Sequence, residues 1–181
     1  QIDNLSSFEK WVIKPNLEGS SNGISFFNNF EGKDNFQKKI NLAKKYDDSV
    51  LIERFIPGKE ITVPIINKRC LRPIHIIPEG EFYDFEAKYV SSKTKYIEYA
   101  IGSEKLETLN NLVIRAYELV GAENWGRIDI IYDGEDYFFI ELNSVPGMTK
   151  TSLVPKSSDL SGISYLELLE SIMNHALANK A

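Results

Sequence analysis

Short apolar runs and stretches of helical spacing follow one another along the chain, and together they predict an α+β fold. In the first third, apolar runs bounded by Gly, Pro or Asn predict strands at residues 11–14, 24–27, 50–53 and 60–66. Phe36, Ile40 and Ala43 recur at helical spacing in a lysine-rich stretch that ends near Tyr46. We therefore expect an amphipathic helix that covers a small sheet made by the first strands.

The rest of the chain mixes the same two patterns. We expect residues 71–77 to be extended and the polar residues 90–99 to form a surface loop, because the latter lack a strong periodicity. A final helix begins at Tyr165, with Ser161 or Ser164 as its N-cap. The clearest helical face ends before Gly121, a residue suited to a C-terminal cap, and comprises Leu106, Leu109, Val113, Ala116 and Val120.

A β-hairpin is predicted at the start of the last third of the chain. Asp133-Gly134 is a turn signal, and it lies between two apolar runs at residues 125–132 and 137–141. If the strands pair about a centre near Glu135, residues equally distant from that centre face each other at roughly 5 Å.

This hairpin brings acidic and amide side chains together. Side chains alternate across a strand, so Arg127 shares a face with Asp129, and Glu141 shares a face with Asn143. Asp129 then faces Glu141 to within about one residue pair. An Asp, a Glu and an Asn form an all-oxygen site, which suits Mg²⁺ that bridges nucleotide phosphates. The alternative is a surface hairpin whose polar side chains simply face solvent.

Three other positions are candidates for ligand binding. The Gly/Ser loop at residues 19–23 follows a strand that ends in Lys14, so backbone N–H groups and a lysine could hold an anion, although such loops also serve as plain hairpin connections. Glu53 and Glu60 could bind a nucleoside or be exposed acids. Arg127 lies in an apolar strand and needs a carboxylate or phosphate partner.

The composition narrows the class of protein. The 181 residues are 43% hydrophobic and 26% charged, as in soluble globular proteins, and the net charge of −5 argues against binding to nucleic acid. A single cysteine, Cys70, excludes an internal disulfide and favours the reducing cytoplasm. His75, His175 and Cys70 are expected to be structural. No apolar run reaches the ~20 residues of a membrane span. The missing initial methionine suggests a piece of a longer protein.

Several strings of residues resemble the D-alanine–D-alanine ligases of the ATP-grasp superfamily. The resemblance runs from about Trp11 to the C-terminus and implies two α+β lobes with largely antiparallel sheets that grip ATP, divided at residues 1–52 and 53–181. The matching strings are Lys14-Pro15, residues 18–23, Glu53 with residues 58–60, residues 82–89 (Phe-Tyr-Asp-Phe-Glu-Ala-Lys-Tyr), residues 126–129, residues 141–149 (Glu-Leu-Asn-Ser-Val-Pro-Gly-Met-Thr), Ser152-Leu153 and Pro155-Lys156.

The resemblance also implies a role for each matching residue. For ATP, it implies phosphate contacts from Lys14 and Lys88, a loop with Ser20 and Ser21 that closes over the phosphates, adenine and ribose contacts from Glu53 and Glu60, and a hinge at Phe55 and Ile56. For metal, it implies that two Mg²⁺ ions, or Mn²⁺, are bound by Asp129, Glu141 and Asn143. For the second D-alanine and the tetrahedral centre, it implies Arg127, Gly147, Ser152 and Leu153, while Tyr89 meets the serine loop on closure.

The implied reaction joins two D-alanines through an acyl phosphate to supply peptidoglycan precursors. Relatives are longer and are typically dimers, and they carry an N-terminal domain that holds the first D-alanine, so we expect this chain alone to be inactive or nearly so. Three alternatives stay open: D-lactate as second substrate, another carboxylate–amine ligase of the superfamily, and a nucleotide-binding module without catalysis.

Overall fold

The computed structural model describes residues 8–19, 21–78 and 93–178, and these fall into two compact units. Of the described residues, the first unit comprises residues 8–57 and Lys93, and the second comprises residues 58–78 and 94–178. Each unit has its own sheet and its own core. The division of the lobes at residues 52 and 53 stays a prediction.

The first unit is a small antiparallel sheet covered by one helix. Its elements are β1 (Lys10–Pro15), β2 (Ser25–Asn28), a short 3-10 helix (Asn29–Glu31), α1 (Lys33–Ala43) and β3 (Val50–Arg54), with strand order β2-β1-β3. Trp11 and Ile13 are buried and alternate with the half-buried Lys10, Val12 and Lys14 along β1. They pack with Phe27 against Phe36 and Ala43 of α1. The predicted helix and its position over the sheet are confirmed.

The second unit is a larger antiparallel sheet with three helices in its described residues. Its elements are β4 (Lys59–Ile66), β5 (Arg69–Cys70), β6 (Ile74–Ile77), β7 (Lys95–Glu98), α2 (Ser103–Leu119), β8 (Trp125–Tyr132), β9 (Tyr137–Asn143), α3 (Leu153–Leu160) and α4 (Tyr165–Ala178). The strand order is β7-β6-β4-β8-β9, with β5 paired to β4.

The core of the second unit lies between this sheet and α2. Along β4, the odd-numbered residues Ile61, Val63 and Ile65 are fully buried in a cluster with residues of α2 and β8. The even-numbered residues Glu60 and Thr62 therefore belong to the opposite face of the sheet, because neighbouring side chains in a strand point to opposite sides. That opposite face carries the candidate site.

The structure corrects the expectation for residues 95–98. They form strand β7, which pairs with β6 at one end of the described sheet, where we expected part of a surface loop. Most of its side chains, including Lys95 and Glu98, are exposed, as is usual for an edge strand. Its sequence therefore lacks the alternation of apolar and polar residues that predicts a strand. Residues 90–92 of that expected loop lie outside the described residues.

The predicted face of α2 is also corrected at its last turn. Val120 is 65% exposed, whereas Tyr117 is fully buried and its hydroxyl donates to the Glu123 carbonyl at 2.8 Å. The expected cap at Gly121 is confirmed. Gly121 has a φ of 69°, and the Gly121 and Ala122 N–H groups donate back to the Glu118 and Tyr117 carbonyls, as in a Schellman motif.

The last helix, α4, begins with a capping box. The Ser164 N–H donates to the Glu167 carboxylate at 2.8 Å, and the Glu167 N–H donates to the Ser164 hydroxyl at 3.3 Å. Ser164 is therefore the N-cap of the two that we considered. None of the described helices is both long and apolar enough to cross a membrane.

Candidate functional site

The hairpin β8–β9 has the predicted register around the acidic residues. Asp129 pairs with Glu141, and Arg127 pairs with Asn143. Beyond Asp129 the register shifts by one, so that Ile130 pairs with Phe139 and Ile140 is an extra residue in β9. Such a β-bulge re-aims the neighbouring side chains and often lies next to a functional site. All four polar residues thus meet at one place on the sheet.

Asp129 is the centre of this cluster. Its side chain is nearly buried, with 5% of the residue exposed, and both carboxylate oxygens accept hydrogen bonds. Oδ1 accepts from the Thr62 hydroxyl at 2.6 Å and from Arg127 Nε at 2.9 Å. Oδ2 accepts from Arg127 Nη2 at 2.7 Å and from Asn143 Nδ2 at 3.1 Å. These four donors compensate a charge that would otherwise be costly to bury.

Arg127 has the partner that its apolar strand requires. The guanidinium pairs with Asp129 through two parallel hydrogen bonds, and its side chain is 16% exposed. The sequence pattern predicts a carboxylate or phosphate for this arginine, and the structure supplies the carboxylate from within the same strand. The guanidinium lies beside the side chains of Asp129 and Asn143, where it could also bind an anionic group of a ligand.

The oxygen donors of this cluster fit a hard divalent cation. Asn143 Nδ2 lies 3.4 Å from Glu141 Oε1 and 3.1 Å from Asp129 Oδ2, so the amide is within reach of both carboxylates. Rotation of the amide by half a turn would present its oxygen to a cation between them. No group of three His, Cys, Asp or Glu side chains gathers anywhere in the described part of the chain, so Asn143 would have to complete this set.

Glu60 and Thr62 extend the site along β4. Thr62 pairs with Asp129 and Glu60 pairs with Ile131 in the neighbouring strand β8, so both belong to the face that carries the acidic cluster. Glu60 is among the residues that we expected in the site. Thr62 is not, although the alternation of Glu60, Thr62 and Pro64 with apolar residues already places it on this face.

The loop after β9 is held together by Ser152. Its hydroxyl oxygen accepts from the Thr149 N–H at 3.1 Å and lies 2.8 Å from the Thr149 hydroxyl. A Cβ on Gly147 would come within 2.9 Å of that same oxygen, so a larger residue there would displace the Ser152 hydroxyl. The Leu153 side chain is buried, which leaves its backbone N–H at the start of α3 as the group that could face a ligand.

In the first unit, the expected nucleotide residues share the face of the sheet opposite α1. Lys14 Nζ lies 2.5 Å from the Glu53 carboxylate, and the two side chains are 19% and 50% exposed. Phe55 follows the end of β3, where its N–H donates to the Lys10 carbonyl at 3.0 Å and its ring lies 4.4 Å from the Lys10 ammonium. Ile56 comes next in the chain.

The serine loop is described only in part. Ser21 has a φ of 61° and Gly23 a φ of 70°, and the Asn22 N–H donates to the Gly19 carbonyl at 3.1 Å. Two left-handed positions separated by a single residue suit a loop that presents backbone N–H groups. The expected site residues Ser20, Lys88 and Tyr89 lie outside the described residues.

Three groups with shifted pKa values, Cys70, Tyr99 and His75, are not among the expected site residues. Burial raises the pKa of the Cys70 thiol to about 12, so it stays protonated and is a poor nucleophile. Burial likewise raises the pKa of Tyr99 to about 12 and lowers the pKa of His75. His75 pairs with Ile61 in β4, a residue of the core face. The chemistry of the site therefore depends on carboxylates, amide and guanidinium.

Comparison with protein families identifies the family to which this chain belongs. Residues 10–174 match the family described as D-ala D-ala ligase C-terminus. The chain belongs to this family. The match to the D-ala D-ala ligase C-terminus includes residues of both units, and it covers nearly all the described residues, including the acidic hairpin.

Relatives and solved structures agree with this assignment. The D-alanine–D-alanine ligase of Actinobacillus succinogenes is 44% identical over 164 residues, which are 90% of this chain and 52% of that protein. The crystal structure of the Bacillus anthracis D-alanine–D-alanine ligase superposes with a TM-score of 0.83 at 32% identity, over 98% of this chain and 58% of that one. Its complex with ATP gives 0.81 at 30% identity, over 98% and 57%.

These findings confirm the predicted fold. The chain has the mixed α and β architecture with antiparallel sheets of the ATP-grasp fold, as its structural neighbours do. It spans about half the length of the curated relatives that it matches.

Proposed function

We propose that this chain supplies the nucleotide, metal and acyl-transfer residues of an ATP-dependent ligase that joins two D-alanines for peptidoglycan synthesis. The observation that carries this proposal is the meeting of Asp129, Glu141, Asn143 and Arg127 on one face of the sheet. Its support includes relatives named D-alanine–D-alanine ligase and a structural neighbour solved with ATP.

Binding of the nucleotide is divided among several groups of residues. Lys14, Ser20, Ser21 and Lys88 would contact the phosphates of ATP, because cations, hydroxyls and backbone N–H groups neutralise them. Glu53, Phe55, Ile56 and Glu60 would hold the adenosine. The Lys14–Glu53 ion pair fixes both side chains before ATP arrives, so ATP meets a lysine already in place.

The acidic cluster would hold two Mg²⁺ ions, or Mn²⁺, through Asp129, Glu141 and Asn143. When bound, these ions supply neutralising charge for the phosphoryl group that is transferred. Asp129 is nearly buried and hydrogen-bonded on both oxygens, so it is oriented in advance and loses little entropy on ligation. Asn143 presents its oxygen after rotation of its amide.

In the proposed reaction, a D-alanine carboxylate attacks the γ-phosphate and ADP leaves, which gives an acyl phosphate. The amine of the second D-alanine then attacks the acyl carbon, and phosphate leaves with the C–O electrons. Arg127 stabilises the negative oxygen that develops on the tetrahedral centre. Gly147, Ser152 and the Leu153 N–H bind the second D-alanine, and Tyr89 closes over the serine loop, which keeps water from the acyl phosphate.

Calorimetric titration of ATP into the chain, with and without Mg²⁺, tests this proposal. We expect binding that depends on Mg²⁺ and is lost in the double variant Asp129→Asn, Glu141→Gln. The matched control is Glu135→Gln, Asp136→Asn, which removes the same charge from the exposed turn of the same hairpin and keeps binding. Equal Mg²⁺-dependent binding by all three proteins would contradict the proposal.

Phosphate release on addition of D-alanine extends the same experiment. The low activity expected of this chain alone, its cytoplasmic location and a homodimer of the full-length protein all stay predictions.

A further inference from the structure

A buried threonine lies against the central carboxylate of the proposed metal site. The Thr62 hydroxyl donates to Asp129 Oδ1 at 2.6 Å, and Thr62 itself is fully buried. The two residues are 67 positions apart in the chain and are brought together by the pairing of β4 with β8. A buried hydroxyl needs a partner, and here its partner is a functional carboxylate.

The hydrogen bonds on Asp129 arrive from two sides. Thr62 holds Oδ1 from strand β4, whereas Asn143 donates to Oδ2 from strand β9 on the other side. Glu141 is also on β9 and pairs directly with Asp129. The hydroxyl of Thr62 therefore holds one oxygen of the carboxylate on the β4 side, which leaves the other oxygen toward Glu141 and Asn143 on β9.

Arg127 acts on Asp129 in another way. Its two hydrogen bonds run in parallel, one to each oxygen of the carboxylate, whereas Thr62 holds only the oxygen on the β4 side. In the proposed reaction, moreover, Arg127 interacts with substrate. Thr62 is then the donor that stays on Oδ1. Its β-branched side chain is stiff at χ1, which suits this task.

We propose that Thr62 is a positioning residue that orients Asp129 for metal binding, an inference that rests on the proposed function. Thr62 touches neither metal nor substrate in this scheme. Outer partners of metal ligands typically contribute roughly 10- to 100-fold to metal affinity. The proposal therefore concerns the strength of metal binding and not the chemical step.

Three variants test the role of the hydroxyl. Thr62→Val has nearly the same shape but no hydroxyl, Thr62→Ala gives a smaller side chain in case valine disturbs folding, and Thr62→Ser restores the hydroxyl. Thr108→Val is the matched control, because it removes an exposed hydroxyl that donates to the Glu104 carbonyl of its own helix, α2. Mn²⁺ with a non-hydrolysable ATP analogue is the probe, and electron paramagnetic resonance measures free Mn²⁺.

We expect the dissociation constant of Mn²⁺ to rise about 10- to 100-fold in the valine or alanine variant and to stay within about threefold of the original value in the serine and Thr108 variants. A purely structural role would instead lower thermal stability and leave Mn²⁺ affinity of the folded protein unchanged, which would overturn the proposal.

The variant Asp129→Asn separates failure of the Thr62 proposal from failure of the proposed function. If it abolishes Mn²⁺ binding while the Thr62 variants bind normally, only the Thr62 proposal fails; if the unsubstituted chain binds no Mn²⁺, the proposed function fails and takes the Thr62 proposal with it.

Discussion

Arg127 and Asp129 lie two positions apart on β8, so their side chains share one face and can reach each other. Two hydrogen bonds join them, and their side chains are 16% and 7% exposed. Such a pair contributes little net stability, because desolvation offsets most of the attraction, but removal of one partner leaves a charge that is poorly compensated. The same geometry that prepares the site for function therefore makes each residue important for folding.

A double-mutant cycle on this pair measures the coupling. We expect Arg127→Met and Asp129→Asn each to lower the free energy of unfolding by about 2–4 kcal/mol, toward the lower end because Thr62 and Asn143 also donate to Asp129. The double variant should lose clearly less than the sum. Urea unfolding provides the values.

The exposed pair Lys68–Glu118 is the control for this cycle. Its ammonium and carboxylate are 3.5 Å apart and their side chains are 66% and 51% exposed, so the same cycle should give a coupling near zero. Additive effects at Arg127 and Asp129 would mean that the two hydrogen bonds do not act as a pair in solution.

At the scale of elements, helix α2 ends in a left-handed glycine rather than in a polar cap. The N–H groups of Gly121 and Ala122 satisfy the carbonyls of Glu118 and Tyr117, and no atom lies within 4 Å of a Cβ built on Gly121. The glycine is thus required by its positive φ and not by lack of space.

Substitutions at Gly121 separate conformation from packing. We expect Gly121→Ala to lower the free energy of unfolding by about 1 kcal/mol, because alanine is strained at positive φ. Gly121→Asn should cost less, since asparagine tolerates the left-handed region. Thermal unfolding of the two variants checks the order, and an equal cost would point to contacts in place of backbone strain.

Local patterns predicted the elements well where every determinant was nearby in sequence. The register of Asp129 with Glu141 followed from one turn and one alternation, because a hairpin closes within a few residues. The bulge at Ile140 has no such local mark. Strand β7 depended on its pairing with β6, and the burial of Tyr117 depended on its packing against Ile61 and Ile128 of the sheet. Periodicity shows neither.

The same limit applies to the site. Asp129, Glu141 and Asn143 could be grouped from sequence because they lie in one hairpin, whereas the contact of Thr62 with Asp129 joins strands far apart in the chain. Alternation along β4 indicated the face of Thr62 but not its neighbour across the sheet.

At the scale of the whole molecule, the two units have separate cores, and each contains one of the chain's two tryptophans. Trp11 belongs to the cluster under α1, and Trp125 packs against a cluster formed by Val154, Leu168 and residues of the sheet. Each tryptophan thus reports on the packing around it. Trp125→Phe leaves only the reporter of the first unit, and Trp11→Phe leaves only that of the second.

Core substitutions in these two backgrounds test whether the units unfold together. Phe36→Ala removes a ring 5.0 Å from that of Phe27 and should cost about 3–5 kcal/mol in the first unit, while Leu168→Ala should cost about 2–5 kcal/mol in the second. We expect each change to shift mainly the fluorescence transition of the tryptophan in its own unit, because each cavity removes contacts from one core. If either substitution shifts both transitions equally, the described chain unfolds as a single cooperative unit, and a defect in one core would then reach the acidic site through global unfolding.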